Sequence, residues 1–356
     1  MKSIVKFKIR ALTAMLAISI IAGAQPDRCN FRKSYKVNEK STLIVSNRYG
    51  DINIVNSGTD SIVICATITI ELKDKMRDGE QMKQIRTDID RKRDTITAAT
   101  VFDKKFFTQK YSSQREKFSI DYTIKAPAYL NLKITNSFGN ITIDEASGEV
   151  DIRLSQGLFT AKNLSRGNVK PINSITIYSG KAGIDLLNWA SFELKNSPAV
   201  RIGKASAIMI ESEYSKIDIG EVSSLIADSK SDKYKVQTIK NMQTESTYST
   251  FEIDMLVGIM KSGTTLGTIT VSGLKRDFNT IYIDSDRSFI NIPGAAGASF
   301  QTDIESTGTE VDISSQEGLK RSFDGNLTKI TGIYGDDKKP VSTVRIRAVS
   351  GKVSIR

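Results

Sequence analysis

The sequence predicts an all-β chain that is mostly a right-handed single-stranded β-helix, also called a β-solenoid. Two phrases, ESEYSKIDI at 211–219 and ESTYSTFEI at 245–253, repeat nearly the same residues. Short runs of alternating apolar residues, each opened by Ser, Gly or Asn, recur from residue 130 onward. One such unit cannot close a core alone, so copies are expected to stack about 4.8 Å apart and to bury one apolar column along the axis.

The spacing of the repeats supports this prediction. The first apolar position recurs at intervals that scatter around about 19 residues, the size of a solenoid turn. The predicted column is Ile141, Phe159, Ile184, Val200, Ile217, Val236, Phe251, Ile269, Ile290 and Val311, with Val353 after a gap. Irregular spacing disfavours a left-handed coil of strict hexapeptides and favours a right-handed coil with loops of variable length. An antiparallel β-sandwich, which strands spaced about 8 to 12 residues apart also suit, is the alternative.

Residues 1–24 have the features of a cleaved export signal. A basic start precedes the apolar run 11–21, and Ala22-Gly23-Ala24 supplies the small residues that a signal peptidase reads. The run is shorter than the roughly 20 apolar residues of a membrane-spanning helix. No later stretch is apolar enough to be a transmembrane segment. The sequence therefore predicts secretion, to the periplasm or the outer cell surface, with Gln25 as the first mature residue.

The mature chain divides into two predicted regions. Residues 25–129 are expected to form a β-rich cap, and residues 130–356 the solenoid repeats. Within the cap, Met82, Ile85 and Ile89 fall at helical spacing in a charged segment, which predicts a short amphipathic helix near 78–93.

Cys29 and Cys65 are the only cysteines of the chain. An oxidising compartment permits a single disulfide that would tie the N-terminal tail to a strand. Two free thiols fit the sequence as well, because a count of two cannot establish a bond.

The composition excludes several classes of function. The chain contains no histidine, which rules out Ser-His-Asp and Cys-His triads and the usual His-containing zinc sites. Asp-x-Asp pairs such as Asp284 with Asp286 lack the glycine and the distal glutamate of a calcium loop. The excess of 51 basic over 40 acidic residues is spread along the chain, whereas a nucleic-acid partner requires a clustered basic face. We therefore expect no catalytic residues, no metal, no cofactor and no nucleic acid.

The phrases NRYGDINI and NSFGNITI, and the segment YTIKAPAYLNLKITNSFGNITI that feeds the first repeats, resemble a known group of proteins. These are exported bacterial β-solenoid proteins described as "putative adhesins", including head-domain GIN-like proteins of unknown function. The resemblance covers residues 36–356. It implies a right-handed β-helix at the cell envelope and brings no established catalytic or binding residues.

Three functions are compatible with these features. The first is a non-catalytic, adhesin-like binding module whose ladders of Ser, Thr, Asn and Lys match a polysaccharide or another surface ligand. Its candidate ligand-facing residues are Tyr214 and Tyr248, at equivalent corners, and Trp189, the only tryptophan; stacking against neighbouring rungs also explains the tyrosines. The second is a structural envelope or assembly protein. The residues SGKVSIR at 350–356 form a rung with no cap after it, which predicts self-association through this C-terminal solenoid end. The third is a polysaccharide-active β-helix enzyme.

Overall fold

The computed structural model describes residues 29–71, 83–104, 117–294, 298–314 and 318–356. These residues form 26 strands and no α-helix. The predicted export signal lies outside the described residues. The strands are β1 Phe31–Lys36, β2 Thr42–Arg48, β3 Ile52–Asn56, β4 Ser61–Glu71, β5 Ile85–Lys92, β6 Thr95–Phe102, β7 Lys117–Ala126, β8 Asn131–Ser137, β9 Ile141–Ala146, β10 Val150–Ser155, β11 Leu158–Leu164, β12 Asn173–Tyr178, β13 Lys181–Lys195, β14 Ala199–Glu213, β15 Lys216–Lys230, β16 Lys233–Thr247, β17 Thr250–Thr265, β18 Thr268–Val271, β19 Thr280–Asp286, β20 Phe289–Ile292, β21 Phe300–Thr307, β22 Glu310–Ile313, β23 Leu319–Asp324, β24 Leu327–Tyr334, β25 Ser342–Val349 and β26 Lys352–Ile355.

Successive turns of the chain stack in parallel register, which confirms the β-solenoid prediction. In the regular middle of the stack, β13 to β17 each pair in parallel with the next strand. Register partners there are 17 or 18 residues apart, as for Lys204 and Glu221 or Asn188 and Ser206. The antiparallel β-sandwich alternative is wrong, because the strands that build this stack are parallel.

One column of inward side chains runs the length of the coil. In register order it contains Ile52, Ile141, Phe159, Ala182, Val200, Ile217, Tyr234, Phe251, Ile269, Ile290, Val353 and Val311. Two predicted members are wrong, because Ile184 and Val236 lie two residues further along their strands. Residues two apart share a face of a strand, so Ile184 and Val236 are buried as well. Ala182 is small and Tyr234 has a polar hydroxyl, so neither stood out in the sequence as the buried apolar residue of its rung.

A sharp corner at the same place in each rung explains the repeated phrase. Eleven non-glycine residues with positive φ occupy it: Tyr49, Phe138, Gln156, Ser179, Asn196, Tyr214, Ser231, Tyr248, Leu266, Arg287 and Ser350. At two of these corners, Tyr214-Ser215 and Tyr248-Ser249, the residue after the tyrosine is a serine that bonds to the preceding rung. Ser215 Oγ accepts a hydrogen bond from the Ser197 amide, and Ser249 Oγ accepts one from the Asp232 amide, both at 3.1 Å. Each Tyr-Ser pair therefore makes the bend and satisfies a buried backbone N–H group.

Antiparallel strands cover the N-terminal end of the coil. β6 and β7 extend the stack in parallel beyond β2 and β3, and β5 and β4 then pair with them in antiparallel fashion. The helix predicted near 78–93 is wrong where the structure describes it, because β5 spans Ile85–Lys92. Residues four apart share a face in a strand as well as in a helix, so Ile85 and Ile89 fit both periods. Met82 lies outside the described residues.

Pairing continues through the boundary predicted at residue 129. β2 pairs in parallel with β8, and β3 with β9, so strands of the predicted cap lie directly on strands of the predicted repeats. The division into a cap at 25–129 and solenoid repeats at 130–356 stays a prediction.

The order of rungs at the C-terminal end differs from their order in the chain. β25 lies between β19 and β21, and β26 lies between β20 and β22. The last strand pair therefore fills a position that the preceding chain skips. The prediction that 350–356 forms the open end of the solenoid is wrong, because β26 is paired on both sides. The end rung is β21 with β22, and β24 pairs antiparallel to β21 there.

Candidate functional site

A loop folded against the coil creates a groove on one face of the solenoid. Residues 165–172 connect β11 to β12. Arg166 Nε donates to the Pro171 carbonyl at 2.9 Å, and Asn188 Nδ2 donates to the Ser165 carbonyl at 2.6 Å. The first bond closes the loop on itself and the second ties its start to β13, and the loop forms one wall of a groove of about 800 Å³.

The floor of this groove is apolar and open to solvent. It is lined by Trp189, Ala207, Met209 and Ile226, and Pro171 and Ile172 add apolar surface from the loop wall. Met209 is 44% exposed and Ile226 is 46% exposed, although both occupy outward positions on long strands where polar residues are the norm. Ser191, Met209 and Ile226 are register partners in successive rungs, so the floor runs along the axis of the coil. We call it the apolar floor.

A column of four carboxylates runs beside the apolar floor. Glu193, Glu211, Asp228 and Glu245 are register partners in four successive rungs. The column that contains Met209 and Ile226 lies next to these carboxylates on the same face. On each strand the carboxylate comes two residues after the residue in that column, as Glu211 comes after Met209. Adjacent members are one strand spacing apart, about 4.8 Å along the axis, and like charges placed directly opposite each other on paired strands are destabilising. We call this column the acidic ladder.

Few cations compensate the acidic ladder. Glu193 accepts a hydrogen bond from the Tyr178 hydroxyl at 2.6 Å and lies 3.8 Å from Lys195 Nζ. Within the described ranges, Glu211, Asp228 and Glu245 take part in no ion pair. Among the described residues, no group of three or more His, Cys, Asp or Glu is arranged to hold a metal ion.

Another outward column, in the other half of the same rungs, has charges of both signs. Arg201, Asp218, Lys235 and Glu252 are register partners in that order, so positive and negative charges alternate along the axis. Alternation places an opposite charge on each side of the inner members, which is the favourable arrangement for cross-strand pairs. The clustering of like charge in the acidic ladder is therefore a local feature and not a property of the whole coil.

A buried carboxylate lies behind the corner that carries Tyr214. Asp232 accepts hydrogen bonds from Ser212 Oγ at 2.6 Å, from the Ser215 amide at 2.6 Å and from Ser229 Oγ at 2.8 Å. Burial raises the pKa of the Asp232 carboxyl above its ordinary value, and these hydrogen bonds oppose the rise. The network closes a corner of the coil and does not face the groove.

We expect the substitution Asp232→Asn to cost more stability in acid than at neutral pH. Because the folded-state pKa is raised, the contribution of Asp232 is fully present below its ordinary value of 3.8 and is lost as the pH rises through the folded-state pKa. Urea unfolding of wild type and Asp232→Asn at about pH 3.5 and about pH 7 measures this difference. A difference in the free energy of unfolding that does not change with pH would contradict the expectation.

The structure separates the three predicted ligand-facing residues. Trp189 lines the groove. Tyr214 and Tyr248 occupy equivalent corners two rungs apart, with Ser231 between them, and are 58% and 60% exposed. Five residues of extended strand, about 17 Å, separate Met209 from Tyr214. The tyrosines therefore lie at the far margin of the face that carries the groove. Of the three predicted residues, only Trp189 lines the groove.

The two cysteines meet at the N-terminal end of the molecule. Cys29 and Cys65 form a disulfide with a Cα–Cα distance of 5.6 Å. Cys65 lies in β4, and its register partner Arg32 lies in β1. The bond therefore joins the start of the described chain to the antiparallel strands that cover the coil.

No family model matches the chain, and no curated protein matches its sequence. The solved structures that match include one described as a "putative cell adhesion protein" from Clostridium sporogenes, with 12% sequence identity, a TM-score of 0.21 and coverage of 91% of this chain and 98% of that chain. The described part of the chain contains no helix that is long and apolar enough to span a membrane.

Proposed function

We propose that the chain is a non-catalytic, adhesin-like binding module of the cell envelope, and that it binds a polysaccharide or another surface ligand in the groove beside Trp189. The observation that carries this proposal is the apolar floor. Met209 and Ile226 stand exposed in successive rungs, and the 165–172 loop walls them in on one side. A concave, mostly apolar surface with a few polar groups is the usual form of a ligand site.

The residues that line the groove support binding over catalysis. Its polar lining consists of Asn168, Lys170, Ser174, Ser191 and Ser224. Lys170 is the one charged residue in that lining, and the chain has no histidine. A general acid and base pair, or a nucleophile with an adjacent base, requires two titratable groups within hydrogen-bond reach of each other. Nothing in this lining supplies such a pair.

Export is part of the proposal. The basic start and apolar run of residues 1–24 support a cleaved signal, and a disulfide between Cys29 and Cys65 suits an oxidising compartment outside the cytosol. The periplasm and the outer surface both meet this condition.

The apolar floor is tested by replacing it. A screen of the chain from residue 25 against immobilised bacterial and host polysaccharides and surface proteins identifies a ligand, with every bound glycan checked for cleavage. We expect Met209→Ser with Ile226→Ser to weaken binding to that ligand at least tenfold, because the two exposed apolar side chains are lost. The matched control is Leu186→Ser with Met255→Ser, which removes two exposed apolar residues from outside the groove.

Each outcome of this screen decides between functions. Equal losses in the floor variant and the control would place the binding surface elsewhere. Cleavage of a bound glycan would support the enzyme, and no binding to any ligand would leave the structural envelope role.

A further inference from the structure

We infer that the groove takes an extended polypeptide segment in which cationic and apolar side chains alternate. This inference rests on the proposed function and specifies its ligand. It is carried by the position of the acidic ladder directly beside the apolar floor. Glu211 and Asp228 each lie two residues from Met209 and Ile226 on the same strands, about 6.8 Å away.

The negative charge of the acidic ladder indicates that the ligand carries positive charge. The whole chain carries a formal net charge of +11, yet four carboxylates stack here in consecutive rungs. Elsewhere on the same rungs, from Arg201 to Glu252, the charges alternate. A ligand with Lys or Arg side chains would remove the repulsion within the ladder through charge-assisted hydrogen bonds, whereas an anionic glycan would add to it.

The dimensions of the ladder fit an extended chain. From Glu193 to Glu245 the ladder crosses three rung spacings, about 14 Å. Side chains on one side of an extended peptide recur about every 6.8 Å, so three of them span about the same length. A peptide that lies along the border between ladder and floor can turn its cationic side chains to the carboxylates. Its alternate apolar side chains then face Met209 and Ile226.

The composition of the groove favours a peptide over a glycan. Pro171, Ile172, Met209 and Ile226 are aliphatic or thioether side chains, and Trp189 is the one aromatic residue in the lining. Flexible methionine side chains adapt to the apolar side chains of peptides. A sugar laid on Met209 and Ile226 would place hydroxyl groups against side chains that make no hydrogen bonds, and only polar residues nearer the margin, such as Ser191 and Ser224, would supply partners.

The test measures binding of a labelled eight-residue peptide that alternates lysine and valine to the chain from residue 25. We expect saturable binding that weakens with added salt. It should fall at least tenfold in the variant with Glu211→Gln, Asp228→Asn and Glu245→Gln. The matched control carries Asp218→Asn, Glu221→Gln and Glu252→Gln, which removes as many carboxylates from outward positions away from the ladder. It should bind like the wild type.

Two further probes test separately whether the ligand is a cationic peptide and whether the groove is the binding site. The same peptide with glutamate in place of lysine should not bind, and equal binding of the two peptides would overturn the inference. A glycan that binds the wild type and is lost in Met209→Ser with Ile226→Ser, while the lysine peptide does not bind, would retain the groove and reject the peptide. If neither the floor variant nor the ladder variant affects any ligand, the proposed function fails together with the inference.

Discussion

A chain that ends at Pro340 is expected not to form a stable C-terminal part of the solenoid. β25 and β26 lie between two rungs formed by earlier parts of the chain, so their removal leaves a gap inside the stack. The lost segment buries Val344, Ile346, Val353 and Ile355 completely. Each such side chain contributes about 1.5–3 kcal/mol on burial. Their sum is comparable to the roughly 5–15 kcal/mol that stabilises a typical domain.

Thermal unfolding and sedimentation of the truncated protein measure this effect. We expect aggregation, because the gap exposes the edges of the rungs on both sides. A synthetic peptide of residues 341–356 should restore part of the stability when it is added in trans. The single changes Ile346→Asp and Arg345→Ser provide a matched pair, since Ile346 is buried and Arg345 is exposed on the same strand. A truncated chain that melts like the wild type would show that β25 and β26 do not hold the end of the stack together.

The C-terminal order of rungs could not be read from the sequence. Val353 follows Val311 in the chain after a gap of about two turns, and it does join the predicted column. An apolar repeat identifies the residues that share a column, because each rung buries the same positions. It does not state which rung lies next to which. The hairpin of β23 and β24, where strand signals are weak, allows the chain to skip a rung and return.

The acidic ladder could have been found from the repeated phrases. Glu211 and Glu245 are the first residues of ESEYSKIDI and ESTYSTFEI. Aligning every rung on its corner residue would have placed Glu193 and Asp228 in the same column, since each lies three residues before its corner. The groove could not have been found in this way. Its wall depends on how the 165–172 loop folds back, and alternation along a strand says only that Met209 and Ile226 face outward.

The substitution Phe251→Ala is expected to lower the free energy of unfolding by about 3–5 kcal/mol, the usual cost of removing a buried phenylalanine. Phe251 is fully buried in the core column. Its ring stacks on Tyr234 with centroids 4.6 Å apart and an angle of 16°. Ile269 is its register partner on the other side. The cavity would therefore have rigid walls, which prevents the core from closing over it.

The matched control for Phe251 lies three residues away in the same repeated phrase. Tyr248 is 60% exposed at the corner, so Tyr248→Ala should change the free energy of unfolding by no more than about 0.5 kcal/mol. Urea unfolding followed by circular dichroism measures both variants. Because each rung contacts only its neighbours, hydrogen exchange in Phe251→Ala should increase most in β16, β17 and β18. A larger loss for Tyr248→Ala than for Phe251→Ala would mean that the corner tyrosine, and not the core column, stabilises the repeat.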